Sequence, residues 1–416
     1  MLALIERRQY LREIKTETPA IRVLQAVLRR SDQRQAAALA PLLKAVRKKG
    51  KIEARAEKPL FHTIILKPVG NQCNLRCRYC FNHPEPAKPA LLMGEAVLKN
   101  TLAATLAMGP ETVHFIWHGG EPLLAGLDFF EHAVHLQQVL NLHGKTIKNS
   151  VQTNGTLLNE KWLAFFKRHR FTVSISLDGP ALSHNRYRHY GSGTGSFHRV
   201  LSGIQSLQAH AISHGVVAVI TSHMEITPPA FLDFFEAQNI NGFQISPCSW
   251  PAEIAISPDE YADFTIGLFE AWLNKDNPQI QIGPLEDIVA GLMGQPPRLC
   301  WMAGTCAMFI GIEPNGDVWP CCDRTLPSKH YCWGNLLEMD LSTLVQNRQA
   351  QDFRTTAQKC QLNHCSNCQW AFLCKGGCVH HRIMQGSAAD ALDPFCKSYQ
   401  RIFAYIAERI DDILIR

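Results

Sequence analysis

The chain has 416 residues, of which 46% are hydrophobic, so it is long enough for two or three domains with cores of their own. No stretch approaches the roughly 20 apolar residues needed to cross a bilayer, and the amino-terminal segment "MLALIERRQYLREIK" carries charges where a signal peptide is apolar. These features argue against a membrane or secreted protein and favour a cytoplasmic one. The net charge of +6 comes from interspersed basic and acidic residues, which gives no indication of nucleic-acid binding.

Residues 1–58 carry apolar positions at helical spacing, as in "IRVLQAVL" and "AALAPLLKAV", and end in the basic run "VRKKGKIEARAEK". This pattern predicts a helical amino-terminal extension of two or three helices and a linker. The extension is either a packing appendage or a surface that contacts an acidic peptide or partner.

Short β-branched or aromatic runs alternate with longer helical stretches between residues 59 and 294. The six predicted strands lie at residues 61–69, 112–118, 147–153, 171–177, 215–221 and 242–247, and the helices between them at 92–108, 128–143, 159–168, 196–213 and 229–238. Such alternation indicates an α/β fold with a parallel sheet. Six units favour an open or partial barrel over a closed eight-stranded one, with ligand sites at the carboxyl ends of the strands.

Two further helices, predicted at residues 258–274 and 285–293, lead to a domain boundary at "GQPPRL". Residues 295–396 form a cysteine-rich domain that contains a hairpin signal, "FIGIEPNGDVWPC". Its Asn315–Gly316 pair is typical of a two-residue hairpin turn. Residues 397–416 read as an amphipathic carboxy-terminal helix.

Fifteen cysteines are unusual for a cytosolic chain, where clustered thiols more often bind metal or do redox work than form disulfides. The first group, Cys73, Cys77 and Cys80, follows the first predicted strand directly. Three thiols cannot complete a structural zinc site or an ordinary ferredoxin-type site, each of which takes four protein ligands. A 4Fe-4S cluster on three thiolates would leave one iron open to a small molecule.

This spacing with its aromatic residues, Tyr79 and Phe81, resembles the signature of the radical S-adenosylmethionine (SAM) enzymes. Three further motifs support the resemblance: "GGEP" after the second strand, "QTNGTLL" after the third, and "SISLDGP" with "HNRYR" after the fourth. They come in the order expected for the partial (β/α)6 TIM-like barrel of that family. Taken singly, each motif also fits an ordinary turn or strand exit.

The resemblance implies that the amino and carboxylate groups of SAM chelate the open iron, with the GGEP segment near the amino group. The cofactor-binding residues that it implies are Tyr79, Phe81, Gly119, Gly120, Glu121, Pro122, Asn154, Ser176 and Arg188. An electron delivered to the cluster would cleave SAM to methionine and a 5'-deoxyadenosyl radical, which abstracts hydrogen from an unactivated C–H bond. In such enzymes the cofactor carries the difficult chemistry and the protein supplies orientation and exclusion of water.

The later cysteines resemble the seven-cysteine pattern of SPASM domains, which hold two auxiliary 4Fe-4S clusters in maturases of peptides and proteins. Cys300, in "CWMAGTC", adds an eighth thiol as in the sulfatase-maturating members. The family pattern implies a nearer cluster on Cys300, Cys306, Cys321 and Cys378, and an outer one on Cys365, Cys368, Cys374 and Cys396. The competing interpretation is a pair of zinc sites, since C-x2-C spacings suit zinc equally well. Three clusters of four would give about 12 irons.

Four thiols remain, Cys248, Cys322, Cys332 and Cys360, and each fits an inert buried thiol. Cys322 differs because, in sulfatase-maturating relatives, an aspartate thought to accept the substrate's proton follows the ligand cysteine. Here the sequence "WPCCDR" displaces the acid to Asp323, and on a strand a shift of one residue turns a side chain to the opposite face. Asp323 is therefore a candidate general base, and Cys322 a candidate hydrogen donor or alternative cluster ligand.

The favoured function is a maturase that modifies a ribosomally synthesised precursor peptide by a crosslink, a thioether or epimerisation. The alternative is an anaerobic sulfatase-maturating enzyme that oxidises cysteine or serine to formylglycine, and a third is a non-enzymatic iron-sulfur or zinc scaffold. The resemblance implies a low-potential electron donor such as flavodoxin or ferredoxin. Residues 1–58 offer no winged-helix module, so leader recognition falls to these helices or to a separate leader-binding protein. No nucleic acid or membrane partner is expected.

Overall fold

The computed structural model describes residues 8, 11–12, 19–48, 61–82, 91–275, 277–321, 329–384 and 390–415. Cys322 and Asp323, the two candidate catalytic residues, lie outside these described residues. Among the described helices, none is long and apolar enough to cross a membrane.

Seven parallel strands, paired in sequence order, form the barrel sheet. They are β1 (Thr63–Leu66), β2 (Thr112–Trp117), β3 (Thr146–Thr153), β4 (Thr172–Ser176), β5 (His214–Ile220), β6 (Gly242–Pro247) and β7 (Gln281–Gly283). The six predicted strands are confirmed, and the sheet is the predicted partial barrel. The three residues of β7 were missed because "QIG" is too short to show alternation.

Helices alternate with these strands along the chain, and a long helix precedes β1. The described helices of this half are α1 (Pro19–Lys48), α2 (Glu95–Met108), α3 (Leu127–Leu140), α4 (Glu160–His169), α5 (Ala181–Tyr187), α6 (Phe197–Ala209), α7 (Pro228–Ala237), α8 (Pro258–Asn274) and α9 (Leu285–Leu292). Local signals set their ends: α8, for example, begins at a capping box in which Ser257 and Glu260 bond each other's backbone N–H groups.

The carboxy-terminal half adds strands to the same sheet. These are β8 (Phe309–Ile312), β9 (Asp317–Pro320) and β10 (Gly334–Asn335), and the ten-stranded order is β10-β9-β8-β1-β2-β3-β4-β5-β6-β7. Strand β8 pairs in parallel with β1, whereas β9 and β10 are antiparallel to their neighbours. The helices that follow are α10 (Cys300–Ala303), α11 (Leu341–Gln346), α12 (Arg348–His364), α13 (Ala371–Cys374), α14 (Val379–Met384) and α15 (Cys396–Ile415).

The predicted two-residue turn of the β8–β9 hairpin is wrong, because four residues separate the strands. The N–H of Gly316 donates to the carbonyl of Glu313 (2.9 Å), which makes residues 313–316 a turn. Pro314 occupies the second position of that turn, where its fixed φ is favoured, and Gly316 adopts a φ of 92°. The proline therefore starts the turn one residue earlier than the Asn-Gly signal suggests.

A buried ion pair joins the two halves of the sheet. Lys67 follows β1, Glu313 follows β8, and Lys67 Nζ lies 2.8 Å from Glu313 Oε1. Both side chains are almost fully buried, so the pair fixes the hairpin to the barrel away from solvent.

In the described part of the amino-terminal extension, the helix α1 packs against α8 and α9. Its buried face includes Leu24, Val27 and Leu28. Arg30 anchors it: Nε donates to Glu286 Oε1 (2.6 Å), and Nη1 donates to the carbonyl of Pro278 (2.8 Å). Residues 20–34 thus have the packing role predicted for an appendage; whether the extension also contacts a partner stays a prediction.

Candidate functional site

A cavity of about 310 Å³ lies at the carboxyl ends of the barrel strands. Residues from the loops after β1 to β4, from β5 and β6, and from α14 line it. This is where ligands bind in open parallel sheets, and the volume is at the lower end of small-molecule sites.

The loop after β1 brings Cys73, Cys77 and Cys80 to this cavity. Leu75 forms a bridge with Tyr190, and its N–H donates to Cys73 Sγ (3.4 Å). Burial raises the pKa of Cys73 to about 12 and that of Cys77 to about 11. Deprotonation of such buried thiols requires a positive group beside them, so a trio of thiols facing one cavity fits an iron-sulfur cluster.

Gly119 and Gly120 of the GGEP segment lie against the backbone of the cysteine loop. A Cβ at Gly119 would lie 2.6 Å from the carbonyl oxygen of Gly70, and one at Gly120 would lie 2.0 Å from that of Gln72. Gly119 also adopts a φ of 114°. Both glycines line the cavity, and any side chain there would displace the cysteine loop.

Glu121 lies behind the cavity wall and is fully buried. Its carboxylate accepts hydrogen bonds from the N–H of Leu123 (3.0 Å), the hydroxyl of Thr153 (2.8 Å) and the N–H of Asn154 (2.8 Å). Burial raises its pKa to about 7, and these three hydrogen bonds oppose the rise. Glu121 therefore ties GGEP to the "QTNG" loop. Pro122, also buried, begins the short turn that follows.

Asn154 connects the cavity to the cysteine loop. Its Nδ2 donates to Asn74 Oδ1 (2.9 Å) and lies 3.6 Å from Cys73 Sγ, while its Oδ1 accepts from the N–H of Thr156 (2.9 Å). The side chain lines the cavity and is held in one orientation by these contacts.

Tyr79 and Arg188 meet at the buried carboxylate of Asp178. The Tyr79 hydroxyl and Arg188 Nε both donate to Asp178 Oδ2, the latter at 2.8 Å, and the guanidinium lies 5.1 Å from the Tyr79 ring centroid. The Arg188 charge also opposes the burial that raises the pKa of Cys77. Sequence reasoning selected Tyr79 and Arg188 but missed Asp178, although it stands in the quoted "SLDGP".

Ser176 and Phe81 complete the predicted set, and both line the cavity. Ser176 Oγ accepts from Gln152 Nε2 (3.1 Å), and the Phe81 ring lies 5.7 Å from that of His380. Sequence reasoning did not assign these further lining residues to the site: His118, Gln152, Cys248, Ser249, Trp250, His380, His381 and Met384. Three of them, Cys248, Ser249 and Trp250, directly follow the predicted strand β6 in "ISPCSW", so their position at a strand end could have indicated the site.

Two small cavities each collect four thiols. The first, here the inner thiol set, has Cys300, Cys306, Cys321 and Cys378. The second, the outer thiol set, has Cys365, Cys368, Cys374 and Cys396. These are the sets implied by the SPASM resemblance, each suited to a fully ligated 4Fe-4S cluster.

No group of three or more His, Cys, Asp or Glu side chains, among the residues that the structure describes, converges on a point where a single metal ion could bind.

Three of the leftover thiols have definite positions. Cys248 lines the main cavity and lies 3.2 Å from the carbonyl oxygen of Trp250. Cys332 lies 3.7 Å from the carbonyl oxygen of Gly334. Cys360 is fully buried, 3.3 Å from the carbonyl oxygen of Ala391.

Two families match successive parts of the chain: the Radical SAM superfamily over residues 68–236, and the SPASM iron-sulfur cluster-binding domain over residues 300–369. The Cysteine-type anaerobic sulfatase-maturating enzyme of Clostridium perfringens is 30% identical over 368 residues, or 84% of this chain and 98% of the relative. The Serine-type enzyme of Bacteroides thetaiotaomicron is 29% identical over 382 residues, or 85% and 91%.

Among solved structures, native anSMEcpe with bound AdoMet has a TM-score of 0.75 and 28% identity, covering 85% of this chain and 98% of that one. The same protein with AdoMet and the Kp18Cys peptide has a TM-score of 0.74. The similarity thus extends over both halves of the fold and both kinds of thiol site. The chain belongs to the radical SAM superfamily, among the SAM-dependent enzymes with a SPASM domain that include the anaerobic sulfatase-maturating enzymes.

Proposed function

We propose that this chain is a maturase of the anaerobic sulfatase-maturating type, which oxidises a cysteine or serine side chain of a protein substrate to formylglycine. The observation that carries the proposal is the length of the similarity, which covers 98% of the Cysteine-type relative and 91% of the Serine-type one. Cys300 supports it, because this eighth thiol resembles the sulfatase-maturating pattern and lies with the other three thiols of the inner set.

In this proposal Cys73, Cys77 and Cys80 hold the SAM cluster, and the two thiol sets hold the auxiliary clusters. The bound cluster and SAM supply the radical that removes a substrate hydrogen. Asn154, Ser176 and the glycines of GGEP orient the methionine part of SAM. Arg188 holds Tyr79 and Asp178 in place beside it. The barrel, residues 59–294, thus binds SAM, and residues 295–396 bind the auxiliary clusters.

The substrate side chain lies between the two parts. His380 lines both the main cavity and the cavity of the inner thiol set, so this residue separates the two spaces. Trp250, which is 38% exposed, marks the opening of the main cavity to solvent. A peptide segment entering beside Trp250 would bring its side chain between the SAM site and the inner set.

The test uses reconstituted holoenzyme with SAM and reductant under anaerobic conditions. Its substrates are two sulfatase-derived peptides that differ only in a target cysteine or serine. We expect 5'-deoxyadenosine and a peptide aldehyde that reacts with a hydrazine, with loss of two hydrogens from the serine peptide by mass spectrometry. Formation of 5'-deoxyadenosine with no aldehyde on either peptide would count against formylglycine formation.

The sequence "WPCCDR" favours a second candidate, the maturation of a ribosomal precursor peptide, because Cys322 stands where the sulfatase-maturating pattern has an aspartate. Coexpression with a short peptide encoded next to this chain would then give a crosslink, a thioether or an epimerised centre. Under either candidate, Asp323→Ala should abolish product and leave SAM cleavage intact if Asp323 is the general base. Normal turnover of Cys322→Ala with full iron content would exclude the roles considered for Cys322.

The proposal also includes two partners. A low-potential flavodoxin or ferredoxin delivers the electron, so reduced flavodoxin should replace chemical reductant in the formation of 5'-deoxyadenosine. Where the substrate carries a leader, α1 or a separate leader-binding protein recognises it. Peptide affinity that is unchanged by deletion of residues 1–50 would exclude α1.

A further inference from the structure

The inner and outer thiol sets are joined by a very short piece of chain. Cys374 lines the outer cavity and Cys378 the inner one, with three residues between them. These three, Lys375, Gly376 and Gly377, all have positive φ angles, of 52°, 92° and 80°. The chain therefore makes a tight left-handed turn as it passes from one set to the other, which places the two sets close together.

The guanidinium of Arg382 lies at this turn. Arg382 is on α14, one helical turn after Cys378, and is only 1% exposed. Its Nη2 donates to the carbonyl of Gly376 and lies 3.4 Å from that of Gly377. A Cβ on Gly376 would be 3.3 Å from Nη2 and 3.4 Å from Cys360 Sγ, so a side chain there would press against the guanidinium.

The Arg382 guanidinium lies between a ligand thiol of each set along the chain. The two carbonyl groups that it contacts, those of Gly376 and Gly377, stand between Cys374 of the outer set and Cys378 of the inner set. A cation this deeply buried acts over several ångströms with little screening by solvent.

We propose that Arg382 is a positioning residue that holds a positive charge between the inner and outer thiol sets and would raise the reduction potentials of the clusters that these sets hold. Reduction adds one negative charge to a cluster, and a buried cation beside its ligands stabilises that reduced form. The turn ties the charge to both sets, since Arg382 contacts the carbonyls of Gly376 and Gly377 between Cys374 and Cys378. The reduction potentials of the two auxiliary clusters can be measured whichever substrate the enzyme modifies.

The test measures the midpoint potentials of the auxiliary clusters by redox titration followed by electron paramagnetic resonance, with no substrate present. Replacing Cys73, Cys77 and Cys80 by Ala removes the SAM cluster from the spectra. In that background we expect Arg382→Gln to shift both auxiliary potentials to more negative values, and Arg382→Lys to keep both near their original values. Lys397→Gln is the matched control, because it removes an exposed charge beside Cys396 and should shift neither potential.

Unchanged potentials in an Arg382→Gln protein with full iron content would overturn the proposal, and so would a shift confined to one cluster. If the Arg382→Gln protein does not hold its iron, the potentials of the Arg382→Lys protein test the proposal instead. A Lys variant with full iron and original potentials supports the charge assignment, whereas negative shifts in both clusters overturn it. Because no substrate is used, this result is independent of the formylglycine assay.

Discussion

Gly120 lies where the cysteine loop meets the exit of β2, and the contact between them leaves no space for a methyl group. Because a Cβ there would be 2.0 Å from the backbone oxygen of Gln72, Gly120→Ala must push the cysteine loop away. We expect the variant to lose about four of about 12 irons and to lose SAM binding, while both auxiliary clusters remain. Iron analysis and equilibrium binding of SAM would measure this.

Gly94→Ala is the control, since nothing lies within 4 Å of the added Cβ. It should retain both iron and SAM. A Gly120→Ala protein with full iron and normal affinity would mean that the loop moves without cost.

His184 couples the stability of the site to pH. Its Nδ1 accepts from the N–H of Asp178 and its Nε2 lies 2.9 Å from Ser196 Oγ, which in turn donates to the carbonyl of Arg188. Burial lowers its pKa from 6.5 to about 4, with smaller and opposite effects of Asp178 and Arg188. Between these two values the unfolded chain binds more protons than the folded one, so stability falls as pH is lowered.

The loss between pH 6.5 and about 4 amounts to about 3 kcal/mol. His184→Gln should therefore flatten the dependence of the unfolding free energy on pH in this window, measured by denaturant titration. His143→Gln, at an exposed position, should leave the slope as in the parent. Parallel slopes in parent and His184→Gln would contradict the assignment.

Sequence reasoning at the residue scale succeeded where a motif and a strand end coincide. The cysteines, Asn154 and Ser176 all line the cavity because parallel strands deliver their exits to one edge. A motif does not show what a side chain contacts. The GGEP motif selected Glu121 as a cofactor-binding residue, but its carboxylate accepts hydrogen bonds from Thr153 and Asn154 and so joins two loops. His380 could not be found, because its place in the wall depends on tertiary packing between the barrel and the cysteine-rich half.

At the scale of elements, α1 depends on a few charged contacts as well as on its apolar face. Glu286 is buried at the start of α9, with Arg30 and Arg298 beside it. Arg30→Met would leave the carboxylate short of a charged hydrogen-bond donor, so we expect destabilisation by about 2 kcal/mol. Thermal unfolding under anaerobic conditions would measure the loss.

Arg348→Met provides the comparison, since the Arg348 side chain is 92% exposed and its ion pair with Asp352 is solvated. Its effect should stay below about 0.5 kcal/mol. Equal effects of the two substitutions would show that Arg30 does not anchor the helix.

Strands and helices were largely predictable because their patterns are local. The strand prediction "GFQISP" coincides with β6, and the helix prediction 258–274 coincides with α8. The local pattern does not show which strands pair. Nothing in "FIGIEP" indicates that β8 pairs with β1, which lies nearly 250 residues earlier in the chain. That pairing is chosen by packing of the whole molecule.

At the scale of the whole molecule, the Lys67–Glu313 ion pair joins the barrel strands to the β8–β9 hairpin, and substitutions of this pair test that connection. Lys67→Met would leave Glu313 buried without this cation, and breaking such a pair costs about 3–5 kcal/mol. The double change Lys67→Met/Glu313→Met should recover most of the loss, because it removes both charges. Denaturant titrations of the parent, both single variants and the double variant would measure the coupling; additive losses would mean that the two side chains act independently.

The parallel contact between β1 and β8 affects how such enzymes can be recombined. A chimaera that exchanges all residues after 294 replaces β8 but keeps β1, with which β8 pairs. It also keeps Lys67 and replaces Glu313. The graft would have to preserve the edge of β1, including the register Ile64↔Ile310 and the residue at position 67. An exchange cut at residue 294 alone would therefore break the strand pairing and the ion pair that join the two parts of the sheet.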